Sequence, residues 1–363
     1  MMRFTTLLKN PADWMTGHGE ENSVVLTSRV RLARNIEGAS FPGWAKKAER
    51  QDLFGDLKSS LEALPQMKNG FSHELSDLNS LQKQVLVERH LISREQAARN
   101  EGSGSVVNRK QSLSLMINEE DHLRIQAILP SLKLQEAYRL AHDVDQRLEK
   151  SVNFAVDAKF GYLTACPTNL GTGMRASAML HLPGLVLSDQ IGQVLKGINK
   201  LGLAVRGIYG EGTESLANLY QISNQSTLGE SEEVILARLS KVIGDVSRYE
   251  TQSRVKLQQD DPIMLKDRIG RAAGILSYAG IIDSKEALNH LSMLRLGADL
   301  GIMPESLTEI CDRLFMETQP AHLQLRAGEK LEPEARDVMR AQMIRDQLQS
   351  ALPAAININE KDV

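Results

Sequence analysis

Residues 166–179 read CPTNLGTGMRASAM. A cysteine precedes a proline turn, Gly171 and Gly173 lie in a polar loop, and Arg175 enters a short apolar segment. Packing is a poor reason for Cys166, because Pro167, Thr168 and Asn169 do not continue an apolar run. Glycines let the backbone approach a ligand closely, and an arginine just beyond them supplies a fixed cation suited to phosphate. The stretch predicts a thiolate and a phosphate-binding arginine held on one loop.

Charge gathers in four further segments: Thr27-Ser28-Arg29-Val30-Arg31, NEEDHLR at 118–124, RGIYGE at 206–211 and RDVMRA at 336–341. Within VVLTSRVRL, residues 24–32, an apolar run gives way to strict alternation, which predicts a strand with Arg29 and Arg31 on one face. If Arg29, Arg31, Arg124, Arg175 and Arg206 converge, the pocket needs a polyanion, and guanidinium forks match phosphoryl oxygens two at a time. Taken singly, each arginine is better explained by pairing with a surface carboxylate. Of the acids Glu119, Glu120 and Asp121, at least one suits a solvated turn or helix start. The functional reading requires one of them to face a cationic substrate, with Glu211 as second partner. His122 reads as structural, and no His/Cys/Asp spacing resembles a metal site. The chain has neither G-x-x-x-x-G-K-[ST] nor a G-x-G-x-x-G after a strand, which disfavours a Walker ATPase or a protein-kinase fold.

The remainder of the chain supplies the scaffold. Its 363 residues suffice for a large core and two domains, and 42% hydrophobic with 25% charged residues is ordinary for a globular protein. A net charge of -3 argues against nucleic-acid or membrane-surface binding. Two cysteines, Cys166 and Cys311, make no disulfide framework, and no apolar run is long enough for a signal peptide or a membrane span. A cytoplasmic protein is expected. Residues 1–23 read as a polar arm and 100–110 as a flexible loop. Helices are expected over 46–64, 74–89, 135–149, 188–200 and 231–250, with strands at 112–117 and at the ends 162–166 and 203–208. From about 255 the texture turns wholly helical. Asp261-Pro262 and Asp283 with Glu286 are start signals, and Glu332-Pro333 opens a helix through Leu348.

SRVRLARN at 28–35, NEEDHLR, CPTNLGTGMRA and RGIYGE, in that order and spacing, resemble the motifs of the guanidino (phosphagen) kinases over roughly 24–254. The chain lacks the preceding helical domain of metabolite-specific members and adds a helical domain, 255–363, that carries RDVMRA. That layout resembles the bacterial branch that phosphorylates arginine in proteins. The resemblance implies an α+β fold, an antiparallel sheet flanked by helices, followed by an all-helical domain. It implies ATP contacts from Thr27, Ser28, Arg29, Val30 and Arg31; from His90 and Arg124; from Arg175, Ala176, Ser177, Ala178 and Met179; and from Arg206, Gly207, Ile208, Tyr209, Gly210 and Glu211. Glu120 and Glu211 become the catalytic carboxylate pair and Cys166 the reactive-site cysteine, with ATP and Mg²⁺ as cosubstrate and metal and no dedicated protein metal site.

RDVMRA resembles an allosteric phosphoarginine-binding motif, which implies roles for Arg336, Asp337, Arg340 and Ala341. On a helix, 336 and 340 share a face, so two guanidinium groups could clasp a phosphate. The implied partners are arginine-bearing proteins, a zinc-binding activator, repressor and Clp-protease targets, and further copies of the chain. Two other readings stay open: a kinase for a free guanidino compound, and a non-catalytic regulator that binds phosphoarginine.

Overall fold

Alternation along the strands organises the molecule. The computed structural model describes residues 2–9, 11–16, 24–207 and 215–352. In chain order the elements are α1 (Phe4–Lys9), α2 (Asp13–Thr16), β1 (Val25–Arg34), α3 (Lys47–Glu62), β2 (Phe71–Glu74), α4 (Ser80–Glu88), α5 (Arg94–Ala97), β3 (Gly104–Val107), β4 (Leu113–Ile117), β5 (Leu123–Pro130) and α6 (Leu134–Glu149). There follow β6 (Val156–Asp157), β7 (Gly161–Tyr162), β8 (Met174–His181), α7 (Pro183–Leu187), α8 (Ile191–Lys200), β9 (Leu203–Gly207) and β10 (Leu219–Asn224). Then come α9 (Glu232–Asp260), α10 (Pro262–Tyr278), α11 (Ser284–Asp299), α12 (Ser306–Glu317), α13 (Pro320–Ala327) and α14 (Pro333–Leu348).

Eight strands form one sheet in the order β2-β3-β4-β5-β1-β8-β10-β9, with every neighbouring pair antiparallel. Residues directly opposite share a face. On one face Val30 lies opposite Ala127 and Ala176, and Leu32 opposite Ile125 and Met174. These side chains are buried beneath α3, α6, α8 and α9 in the main core. The helices supply matching stripes, such as Ala137, Ala141, Val144 and Leu148 on α6. On the other face Arg31 lies opposite Arg175 and Gln126, and Arg29 opposite Ser177. Among the described residues no helix stripe covers Arg31 and Arg175 on that face.

The helical region has its own core, built on Leu265, Ile269, Leu288, Leu291, Leu307, Leu314 and Ile344, and it reaches Leu219 and Met179 at the end of the sheet. The start signals read from sequence are real caps: Asp261 accepts from the Met264 N–H at 3.1 Å and Asp283 from the Glu286 N–H at 2.8 Å.

Several local expectations change. Residues 100–110 are not a loop throughout, because β3 lies within them and is buried. Gly104 is needed there: a Cβ would stand 2.5 Å from the Phe54 ring and 2.6 Å from the His73 carbonyl oxygen. The segment expected to be a polar arm forms α1 and α2, with Leu7 fully buried beside Phe71 and Leu86, and Met15 against Met316. The expected helix over 74–89 begins only at Ser80, after β2 and a short 3₁₀ turn. Near residue 254, where the composition changes, α9 continues unbroken. Arg254 pairs there with Glu250 at 2.6 Å and with Asp299 of α11 at 2.9 Å. Helices α12 and α13 carry no start signal that the sequence reading used.

Candidate active site

The uncovered face of the sheet gathers the arginines. Arg31 and Arg175 are cross-strand partners, Arg124 is the second residue of β5, and Arg206 lies on β9. With Glu119, Glu120, Cys166, Thr168 and Asn169 they line one open cleft of about 610 Å³. Their electrostatics confirm the convergence. Burial first, then the guanidiniums of Arg29, Arg124 and Arg175, push Arg31 well below its usual range. Arg175 is pushed down by burial and Arg206, while Cys166 and Glu120 act in the opposite sense. Burial and Arg124 lower Arg29 to about 10, so it stays charged at neutral pH. The Nε atoms of Arg31 and Arg175 are buried without a hydrogen-bond partner among the described residues. Neither arginine has a carboxylate partner there. Buried unpaired cations are costly, so this is a face built to receive negative charge.

The three acids divide their work. Glu119 is buried, pairs with Arg124 at 2.7 Å and accepts from the Ser93 hydroxyl. The Asp121 Oδ1 atom accepts from Asn35 Nδ2 and from the Ala165 N–H, both at 2.7 Å, and so ties the acidic turn to the residue before Cys166. His122 is structural as expected, accepting from the Ile36 N–H through Nδ1 at 3.1 Å. Glu120 alone remains half-exposed toward the cleft, 3.3 Å from Arg124. Burial raises its carboxyl above the ordinary range, against the pull of Arg124.

The cysteine loop is held by the protein itself. Thr227 Oγ1 donates to the carbonyls of Thr168 and Leu170, and the Thr172 N–H donates to the Thr227 carbonyl. Gly171 has φ +107°, and a Cβ would stand 2.3 Å from the Thr227 carbonyl oxygen. At Gly173, φ +64°, a Cβ would meet the Ala33 carbonyl oxygen at 2.6 Å. Both glycines admit the chain's own backbone, and Gly173 also lines the cleft. Cys166 Sγ lies 3.0 Å from Thr168 Oγ1 at the cleft wall.

Other sequence-derived residues fall in different places. Ser28, Val30, Ala176 and Ala178 lie in the expected segments, but their side chains turn to the helix-covered face. Ser28 Oγ donates to the Ser131 carbonyl and accepts from the Lys133 N–H. These four position the strands and offer no side chain to the cleft. Thr27, Arg29, Ser177, Met179 and His90 line a slot further along the same face, with Trp14 and Gln221. An adjoining cavity adds Phe315 and Met316 of α12. Burial and Arg29 lower His90 to about 4, so its ring is neutral. It lies 5.7 Å from the Trp14 ring. Ile208, Tyr209, Gly210 and Glu211 lie outside the described residues; Gly207 ends β9.

A family model for the C-terminal catalytic domain of ATP:guanido phosphotransferases matches residues 54–253. One for the C-terminal domain of protein-arginine kinase McsB matches 262–359. The protein-arginine kinase of Halothermothrix orenii is 44% identical over 342 residues, covering 94% of this chain and 97% of that protein. The protein-arginine kinase of Brevibacillus brevis is 44% identical over 344 residues, covering 94% and 96%. The chain belongs to the protein-arginine kinase family. Its catalytic fold is that of the guanidino kinases. Lombricine kinase superimposes with a TM-score of 0.56 at 24% identity, over 66% of this chain and 71% of that one. The taurocyamine kinase of Schistosoma mansoni gives 0.58 at 21% identity, over 80% and 49%.

In this protein-arginine kinase the RDVMRA segment lies on α14, and its two arginines part company. Arg340 is buried, donating to the Thr318 carbonyl at 3.0 Å and the Ile282 carbonyl at 2.8 Å, and pairing with Asp337. The expected clasp of two guanidinium groups is therefore not formed. Arg336 stays half-exposed, while Ala341 is buried. Trp14, Phe315, Met316 and Trp44 line the site without having been singled out in the sequence. Trp14 and Trp44 are the chain's two tryptophans, and their rarity was the available signal.

Proposed function

We propose that the cleft transfers the γ-phosphoryl group of ATP to a guanidinium nitrogen of arginine side chains in proteins. The supporting observation is the pair Arg31 and Arg175, partly buried, adjacent, with their Nε atoms buried and no carboxylate partner among the described residues, on the same wall as Glu120 and Cys166. Along β1 the rise from Arg31 to Thr27 is roughly 13 Å, comparable to the reach from a terminal phosphate to its base. With the phosphates at Arg31, Arg124, Arg175 and Arg206, the base falls in the slot of Thr27, His90, Met179 and Trp14.

Phosphoryl transfer needs alignment and charge neutralisation more than covalent help. The arginines supply both to the phosphates. The acceptor is the harder problem, because a guanidinium holds its proton far more tightly than a carboxylate does. No carboxylate removes that proton in advance. Glu120, with Glu211 by motif position, orients the guanidinium and takes its proton as the N–P bond forms and the bond to ADP breaks. The raised carboxyl of Glu120 moves in the useful direction for that task. Cys166, on the same cleft wall, lies beside the acceptor and acts through its sulfur without forming a covalent intermediate. Among the described residues no group of three His, Cys, Asp or Glu could hold a metal ion. A Mg²⁺ would arrive on the triphosphate oxygens, where it would neutralise phosphate charge.

Arg336 and the outer edge of Asp337 form the proposed phosphoarginine site that tunes activity, with Arg340 as the buried post behind them. Family resemblance adds a cytoplasmic setting, a zinc-binding activator, Clp-protease and repressor targets, and self-association. No described helix is long and apolar enough to cross a membrane.

The test is incubation with ATP and either an unfolded protein or free arginine, followed by mass spectrometry at neutral pH to preserve the acid-labile N–P bond. Phosphoarginine on the protein is expected. Transfer to free arginine alone would favour the metabolite-kinase reading, and no ATP turnover would favour the regulator.

A further inference from the structure

Trp44 is 88% exposed, although it lies on one of the best-anchored turns of the molecule. The turn Phe41-Pro42-Gly43-Trp44-Ala45 closes through the Trp44 and Ala45 N–H groups, which donate to the Phe41 carbonyl at 2.8 and 2.9 Å. Pro42 and Ala45 face inward and are buried, while Gly43 and Trp44 face out. Two tethers fix the turn to the acidic segment. His122 Nε2 bonds the Ser40 carbonyl at 2.9 Å. On the other side Arg50 donates to the Ala45 carbonyl at 2.8 Å, and Asn118 Nδ2 donates to the Arg50 carbonyl at 3.0 Å. Asn118 and His122 bracket Glu120, so the tryptophan and the carboxylate are parts of one braced unit.

A large exposed apolar side chain on a rigid mount is a pre-organised contact surface, since little ordering entropy remains to be lost on binding. Trp44 and Phe41 form one lip of the cleft that holds Glu120, Cys166 and Arg175, and the exposed carboxylate of Glu95 stands on the same rim. The nucleotide has its own surface on the sheet, along β1 and β8. The lip is therefore on the acceptor side.

We infer that Trp44, with Phe41 and Glu95, receives the polypeptide that flanks the target arginine, and so makes the site selective for arginine within a chain over a free guanidino compound. The indole packs on the main chain and neighbouring side chains of an extended segment. Glu95 favours segments with further basic residues. This rests on the kinase reading above.

The experiment compares full-length wild type with Trp44→Ala and Trp44→Phe on an unfolded arginine-bearing polypeptide and on N-acetyl-arginine amide. If the amide is not turned over, it serves as a competitive inhibitor instead. For Trp44→Ala, KM for the polypeptide should rise about tenfold, the loss of one well-packed aromatic contact. The kcat, the KM for ATP and the constant for the amide should stay unchanged, and Trp44→Phe should recover most of the affinity. Separately, 5-fluorotryptophan enzyme gives one ¹⁹F resonance per tryptophan, assigned with Trp44→Phe. Polypeptide should shift the Trp44 resonance, and the amide should not. Equal effects on polypeptide and amide, no effect on either, or an unmoved Trp44 resonance would overturn the inference while leaving the kinase reading intact. If wild type transfers no phosphoryl group, the kinase reading is what fails.

Discussion

The two faces of the central sheet are made by the same strands and obey opposite rules. On the helix-covered face, Arg34 is buried with its charge fully answered. It pairs with Asp145 of α6 at 2.7 Å, donates to the Thr172 carbonyl, and lies 3.5 Å over the Tyr162 ring. On the open face, Arg31, three residues earlier on the same strand, is partly withdrawn from water and crowded by Arg29, Arg124 and Arg175, with Glu119 pulling the other way but forming no ion pair with it among the described residues. A buried cation with a partner is structure; a buried cation without one is a site in waiting. The contrast separates residues that hold the protein-arginine kinase fold together from residues that the reaction uses, and it can be attacked from both sides.

The largest effect on the open face should come from Glu120→Ala. Transfer should fall on the order of 10³-fold, within the range for a lost acid–base group, while ATP binding measured by calorimetry stays nearly the same. Normal turnover would remove Glu120 from its role. On the covered face, Arg34→Ala leaves Asp145 buried and unpaired and should cost about 3–5 kcal/mol in chemical denaturation. Arg175→Ala is the sharpest comparison. It should lower kcat/KM for ATP on the order of 10²-fold yet leave the melting temperature unchanged or raised, because it removes a cation crowded by other cations. A loss of stability like that of Arg34→Ala would erase the distinction between the faces.

Smaller effects refine it. Cys166→Ser should slow transfer about tenfold without abolishing it, the order expected for losing one favourable side-chain contact to the acceptor, and thiol oxidation should also lower activity. The pH dependence follows from Glu120. Its carboxyl is raised, so its proton-accepting form is lost at a higher pH on acidification than for an ordinary glutamate. The acidic limb of kcat should therefore lie above the ordinary carboxylate range. A limb at or below that range would assign the base elsewhere. His90, held near 4, should add no limb around its usual value.

Much of this was legible in the sequence. Alternation in VVLTSRVRL gave Arg29 and Arg31 a common face, and the caps at Asp261 and Asp283 marked helices correctly, because both signals are local. The four motifs reached the guanidino kinases without any structure. Three things were not legible. Glu119, Glu120 and Asp121 are adjacent and chemically alike, yet only Glu120 stays half-exposed at the cleft, held by a single longer contact to Arg124, because Ser93, Arg124, Asn35 and Ala165 draw the other two inward. Arg336 and Arg340 share a helix face, but the carbonyls of Thr318 and Ile282 draw Arg340 inward. Gly171 and Gly173 looked like ligand-facing glycines; both admit the chain's own backbone, at Thr227 and Ala33, and Gly173 also lines the cleft.

By itself, then, the sequence determined strands β1, β4 and β9, the start signals of several helices, the family, and a set of groups suited to phosphoryl transfer to a guanidinium. Periodicity, capping and motif spacing are properties of neighbouring residues, so they survive without a partner. The tertiary structure alone decided which arginines go without an ion-pair partner among the described residues, which acid faces the cleft, and that α2 and α12 meet at the far end of the arginine-bearing face. It also decided that Trp44 stands braced and bare beside Glu120. Each of these depends on a counter-charge, a carbonyl or a packing surface brought in from a distant part of the chain, and no window on the sequence contains both partners.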